Sequence, residues 1–163
     1  MAQKQQINPN TLLIIGGIAV LYFGLINPLL KKIGLKKSES DKNVDDFEKL
    51  PNADNPFSPV FLRKIKPGTK IKLITQANKE IYAKKIYDAL GYFTDNEAEV
   101  LGVFKNLKTQ TQVSDLATYF QIKYNQDLFT FLKKGKGIMP EAGLNSEELS
   151  QIISLVNSLP KYV

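Results

Sequence analysis

The longest apolar stretch of the chain is residues 11–30, TLLIIGGIAVLYFGLINPLL, and it carries no charge. As a helix rising about 1.5 Å per residue it is about 30 Å long, the thickness of a bilayer's hydrocarbon core. Lys4 precedes it, and Lys31, Lys32, Lys36 and Lys37 follow. Charge at both edges and none inside predicts a single membrane-spanning helix. A cleaved signal peptide would need a shorter apolar core and a small-residue cleavage site, and the following NPLLKKIGLKK offers none. A helix buried in a water-soluble core would carry a polar stripe, and none interrupts Leu12 to Ile26. Within the span, Gly16, Gly17 and Gly24 form a strip that a second helix can approach closely, which would allow a homo-oligomer. Asn27 and Pro28 predict a bend at the interface.

The pattern then turns polar. Residues 36–59 contain Pro51, Pro56 and Pro59 among acids, serines and asparagines, which predicts an extended tether. Phe47, Leu50, Phe57, Val60 and Phe61 are apolar points along it. They have two readings: docking onto the chain's own domain, or a grip on a neighbouring protein by strand addition, with Phe47, Phe57 and Phe61 as anchors. In residues 62–74, LRKIKPGTKIKLI, the cations Arg63, Lys64, Lys66, Lys70 and Lys72 surround a Pro67-Gly68 turn. Alternation over Lys70, Ile71, Lys72 and Leu73 has strand period, so a small hairpin or an extended arm is expected. These cations are the best candidates for contact with an anion or an acidic partner, against the alternative of a solvated basic face. No aromatic side chain interleaves them to stack bases, so nucleic acid is not the expected partner.

From residue 75 onward the period is helical. Ala77, Ile81, Ile86 and Leu90 mark a first helix ending at Gly91. Thr94 with Glu97 is a capping pattern for a second, carrying Ala98, Leu101, Phe104 and Leu107. Thr109 with Gln112 repeats it before a third, with Val113, Leu116, Ala117, Phe120 and Tyr124. A short fourth helix over residues 126–134 stops at Gly135, and Asn145 with Glu148 opens a fifth bearing Leu149, Ile152, Ile153, Val156 and Leu159. The expected fold is mainly α: a membrane anchor with a basic exit over residues 1–35, a tether and basic arm over 36–74, and a five-helix domain over 75–163.

Composition narrows the chemistry. The chain has no cysteine, histidine or tryptophan, which removes disulfides, thiolate or imidazole metal sites, and His-dependent catalytic dyads and triads. No metal or cofactor is expected. The net charge is +6, but residues 1–42 hold six lysines against Glu39 and Asp41, so only +2 belongs to the rest. The basicity is juxtamembrane; Lys31, Lys32, Lys36 and Lys37 suit anionic lipid headgroups and orient the span with its carboxyl-terminal domain on the cytoplasmic side. Without histidine or cysteine, an enzyme would depend on carboxylates, as in a muralytic mechanism. Glu97 and Glu148 are already explained as helix caps, Glu147 as a favourable charge at a helix start and Glu99 as a solvated face. Only Glu141 lacks a local role, and enzymatic activity is not expected.

The order IYDALGYFTDNEAEVLGVF, LKTQTQVSDLATYFQIKYNQDLFTFLKKG and a closing amphipathic helix resembles one repeat of the annexin family. Gly91, Thr94, Asp95, Glu97, Tyr124, Asp127 and Leu128 match that family's turn and helix-start residues over about residues 77–159. The resemblance implies a five-helix fold. It does not imply the family's calcium site, because Phe93 replaces the second turn glycine and lysines of FLKKGKG occupy the region of the distant carboxylate. The layout of anchor, INPLLKKIGL exit and GLNSEELSQIISLVNSLPKY ending is also similar to small membrane and virion proteins of phages of Bacteroidetes-type hosts. The combined expectation is a connector: a bilayer helix, a tether, and a helical head that meets a capsid or vertex protein, with the head facing the capsid from an internal membrane. A cellular membrane-anchored adaptor and an electrostatic lipid or nucleic-acid module, to which Lys133, Lys134 and Lys136 would add charge, are the alternatives.

Overall fold

The computed structural model describes residues 37–91, 96–136 and 142–162, which form seven helices and no sheet among them. They are α1 (Glu39–Glu48), α2 (Pro59–Arg63), α3 (Gln76–Ala89), α4 (Glu97–Asn106), α5 (Gln110–Tyr124), α6 (Leu128–Lys134) and α7 (Ser146–Ser158). Ser40–Val163 makes one compact unit. Among the described residues no helix is long and apolar enough to cross a membrane. The apolar run, with Gly16, Gly17, Gly24, Lys31, Lys32 and Lys36, lies outside the described residues.

Local chemistry sets most helix starts. Thr75, Asn96, Thr109, Asp127 and Asn145 each accept a backbone N–H of the first turn, satisfying donors that a helix start leaves without partners. Asn145 and Glu148 form a reciprocal capping box. Stops are equally local. Asn125 ends α5 at φ 54°, and Gly135 ends α6 at φ 61°, where a Cβ would also collide with the Ala142 carbonyl. The Leu144 N–H then donates to the Leu132 carbonyl at 2.8 Å, laying the returning chain against α6.

α5 is the central element, packing against α2, α3, α6 and α7, while α4 bridges α3 and α7. Val113, Leu116, Ala117 and Phe120 on α5 are almost wholly buried, as are Ile86, Val100, Phe104, Leu132, Ile153 and Val156 around it. The five helices expected over residues 75–163 are all present.

The segment expected to be an extended tether is different. It contains α1 and α2, and its aromatic residues enter the core: Phe47, Phe57 and Phe61 are 3%, 1% and 6% exposed. Phe57 packs against Phe47, Phe104 and Phe129 at centroid distances of 5.6, 5.5 and 5.3 Å. Burial of these rings outweighs the weak helix preference of a polar ten-residue segment. Asn43 donates to the Ser150 hydroxyl at 2.7 Å and Glu48 pairs with Lys133, so polar bonds also hold α1 to α7 and α6. α2 starts as Ser58 caps the Val60 N–H with Pro59 in the first turn, where proline's fixed φ helps.

Candidate interaction surface

The start of α5 buries polar side chains: its cap Thr109, then Thr111, Gln112, Ser114 and Asp115 in its first half. Buried polar groups need partners, and here irregular segments supply several of them. The Ser114 hydroxyl donates to the Ser58 carbonyl at 2.7 Å, and Gln112 Nε2 donates to the Lys72 carbonyl at 3.0 Å. Asp115 accepts the Ile74 N–H at 3.0 Å and pairs with Lys79 at 2.6 Å, tying the entry of α3 to α5. The Gln110 and Thr111 N–H groups donate to the Pro160 and Lys161 carbonyls at 2.9 and 3.1 Å, so the tail satisfies donors at the helix start.

This clamp gathers three irregular segments. Between α2, the Pro67-Gly68 turn and the tail lies an open groove of about 270 Å³, lined by Phe61, Lys64, Lys66, Thr69, Lys161 and Tyr162 among others. Gly68 sits at φ 88° and the Thr69 N–H closes on the Lys66 carbonyl at 3.2 Å, the geometry of a turn that favours glycine there. Beyond the turn residues 70–75 form no strand ladder, so the hairpin is not formed, and the segment is held to α5 through Lys72 and Ile74. Lys64 pairs loosely with Asp54 at 3.5 Å, with both side chains more than half exposed. Among the described residues no acidic group lies within ion-pair distance of Lys66, Lys70, Lys72 or Lys161.

The cations singled out by sequence therefore divide. Lys64 and Lys66 share the small groove, and Lys70 and Lys72 follow on the arm. Arg63 instead lines a larger open groove of about 640 Å³ with Glu48, Asp127 and Phe129. Lys161 and Tyr162 join the groove through the tail's bonds to α5, and no local sequence pattern marks them. Phe47 and Phe57 belong to the core cluster, and Phe61 is buried on the wall of the small groove. Lys37 is exposed.

A third groove of about 320 Å³ lies between the starts of α4 and α7, with Glu97, Glu147 and Glu148 on its walls. Glu148 belongs to the capping box, and Glu99 reaches Lys85 at 3.8 Å. Among the described residues no group of three or more acidic side chains is arranged to hold a metal ion. Phe93, Thr94, Asp95 and Glu141 lie outside the described residues, and α4 is capped by Asn96 rather than the expected Thr94. No family model, no curated protein and no solved structure matches the chain.

Proposed function

We propose that this is a single-pass membrane-anchored structural protein whose helical head joins a lipid bilayer to a protein neighbour, and that it serves in a phage virion as a link between an internal membrane and the capsid. The observation that carries the reading is the short covalent distance between two unlike parts. The apolar run ends at Leu30 and the compact unit begins at Ser40. Even fully extended, that connection reaches no more than about 35 Å. So short a connection limits how far the head can range from the bilayer. Lysine asymmetry about the run supports a head on the cytoplasmic side, the side that faces an assembling shell when a virion membrane derives from its host. The annexin-like order of α3 to α7 is part of the same proposal, with attachment by a permanent helix in place of bound calcium.

Cross-linking mass spectrometry on purified, membrane-containing particles tests it, together with alkaline extraction. The expected result is a chain that resists extraction and cross-links through head lysines to a shell or vertex protein. A chain found only in host membranes would remove the virion assignment and leave a cellular adaptor; release by alkali would remove the anchor.

A further inference from the structure

We infer that the basic arm, residues 64–73, is a second membrane contact of the head: an anionic lipid phosphate sits among Lys64, Lys66 and Lys161 while Ile71 and Leu73 enter the bilayer interface. Isolated exposed aliphatic residues are ordinary. What distinguishes Ile71 and Leu73, 39% and 41% exposed, is that the chain holding them is fixed. Gln112 holds the Lys72 carbonyl and Asp115 the Ile74 N–H, so two buried polar residues of α5 keep the backbone in place on either side of Leu73. Ile71 and Leu73 stand two residues apart on this held segment, at most about 7 Å along the chain. Lys70 and Lys72 alternate with them, and both are exposed.

Charge selects the partner. Lys66, Lys70, Lys72 and Lys161 have no acidic neighbour among the described residues at ion-pair distance. Thr69 lines the groove that Lys64, Lys66 and Lys161 share with a single carboxylate, Asp54, the loose partner of Lys64, and Ile71 follows two residues on, at most about 7 Å along the chain. Cations beside solvent-facing aliphatic groups match an interface of phosphates above acyl chains. The inference rests on the reading of residues 11–30 as an anchor, since a head tied to the bilayer by so short a connection meets lipid at high local concentration.

The chain has no native cysteine, so Ile71→Cys accepts an environment-sensitive NBD label at one site in the full chain. Ile122→Cys, at a position 78% exposed on α5, is the control. Proteoliposomes of neutral phosphatidylcholine are compared with ones containing about a third phosphatidylglycerol, a charge that attracts lysines near the surface. On the anionic vesicles the label at 71 is expected to shift to the blue and be quenched by spin-labelled lipid, while the control stays in water. Neutralising Lys66, Lys70 and Lys72 to Gln should lower the ratio of docked to free arm about five-fold per lysine, with unchanged helical circular dichroism. Added salt should lower it further. A chain that floats with both vesicle types while its label at 71 stays in water overturns the arm contact and leaves the anchor. Flotation with anionic vesicles alone overturns the anchor and leaves the arm. A label at 71 that is shielded only when a capsid protein is added overturns the lipid assignment in favour of a protein partner.

Discussion

The two halves of α5 hold their surroundings by different means. Its first half fastens loops with buried polar groups: Ser114 to residue 58, Gln112 to residue 72, Asp115 to residue 74 and the start of α3. Its last turns fasten helices with rings. Phe120 lies 4.8 Å from Tyr124 and 5.0 Å from Phe131, and Tyr87 stacks on Tyr124 at 4.0 Å and 3°. The difference follows from what each neighbour offers. A helix has already paired most of its backbone and presents side chains; an irregular segment presents N–H and C=O groups that must find partners when buried. One helix can serve both only by carrying polar residues where loops cross it and aromatic ones where helices do.

Breaking the aromatic half should have the largest effect. Phe120→Ala removes a wholly buried ring from a cluster that includes Tyr87, Tyr124 and Phe131. A loss of about 3–5 kcal/mol is expected, read by urea unfolding as a lower midpoint shared by every probe. Asp115→Ala should cost less, about 2 kcal/mol. Breaking a fully buried pair costs about 3–5 kcal/mol, but the Lys79 side chain is 18% exposed and can turn toward water. Its mark should be local: amide exchange of Ile74 and proteolysis around residues 66–75 rise, while α6 and α7 keep their protection. Equal, global losses from both substitutions would show that α5 is not divided in this way.

The same division explains which parts the sequence made legible. α3 to α7 could be read because caps such as Thr109 and Asn145, and apolar residues at helical spacing, lie within one or two turns of what they determine. α1 could not. ESDKNVDDFE contains only Val44 and Phe47 as large apolar residues, and its helix depends on Phe57 and Phe129, ten and more than eighty positions away. Ser58-Pro59 did carry a readable helix start, masked by the surrounding prolines that suggested a tether. In the groove, Lys64 and Lys66 were visible as charges in sequence. Lys161 was not, because its placement depends on a carbonyl captured by the Thr111 N–H fifty positions away.

The smallest effect is expected at the outer edge of the aromatic half, where an ion cluster covers the Tyr87 ring. Lys136 sits 3.9 Å from the Tyr87 ring centre and 3.4 Å from Asp88, which also hydrogen-bonds Lys84. The Lys84 bond holds the Asp88 carboxyl below its ordinary 3.8, against some desolvation and with help from Lys136. The same bond to Asp88 raises Lys84 above its ordinary 10.5. A lowered carboxyl stabilises the fold above its unfolded value, and that contribution is lost as pH falls through the folded value. A raised ammonium stabilises below its unfolded value, and its contribution is lost as pH rises through the folded one. The cluster should therefore add a plateau of stability between about pH 4 and pH 10, with acid and alkaline shoulders. Asp88→Asn should lower Tm slightly on that plateau and flatten the acid shoulder, because solvent screens these half-exposed charges. Differential scanning calorimetry from pH 2.5 to 7, with Phe120→Ala for scale, provides the measurement. A drop at neutral pH as large as that of Phe120→Ala would mean that the ions, not the rings, hold this end of α5.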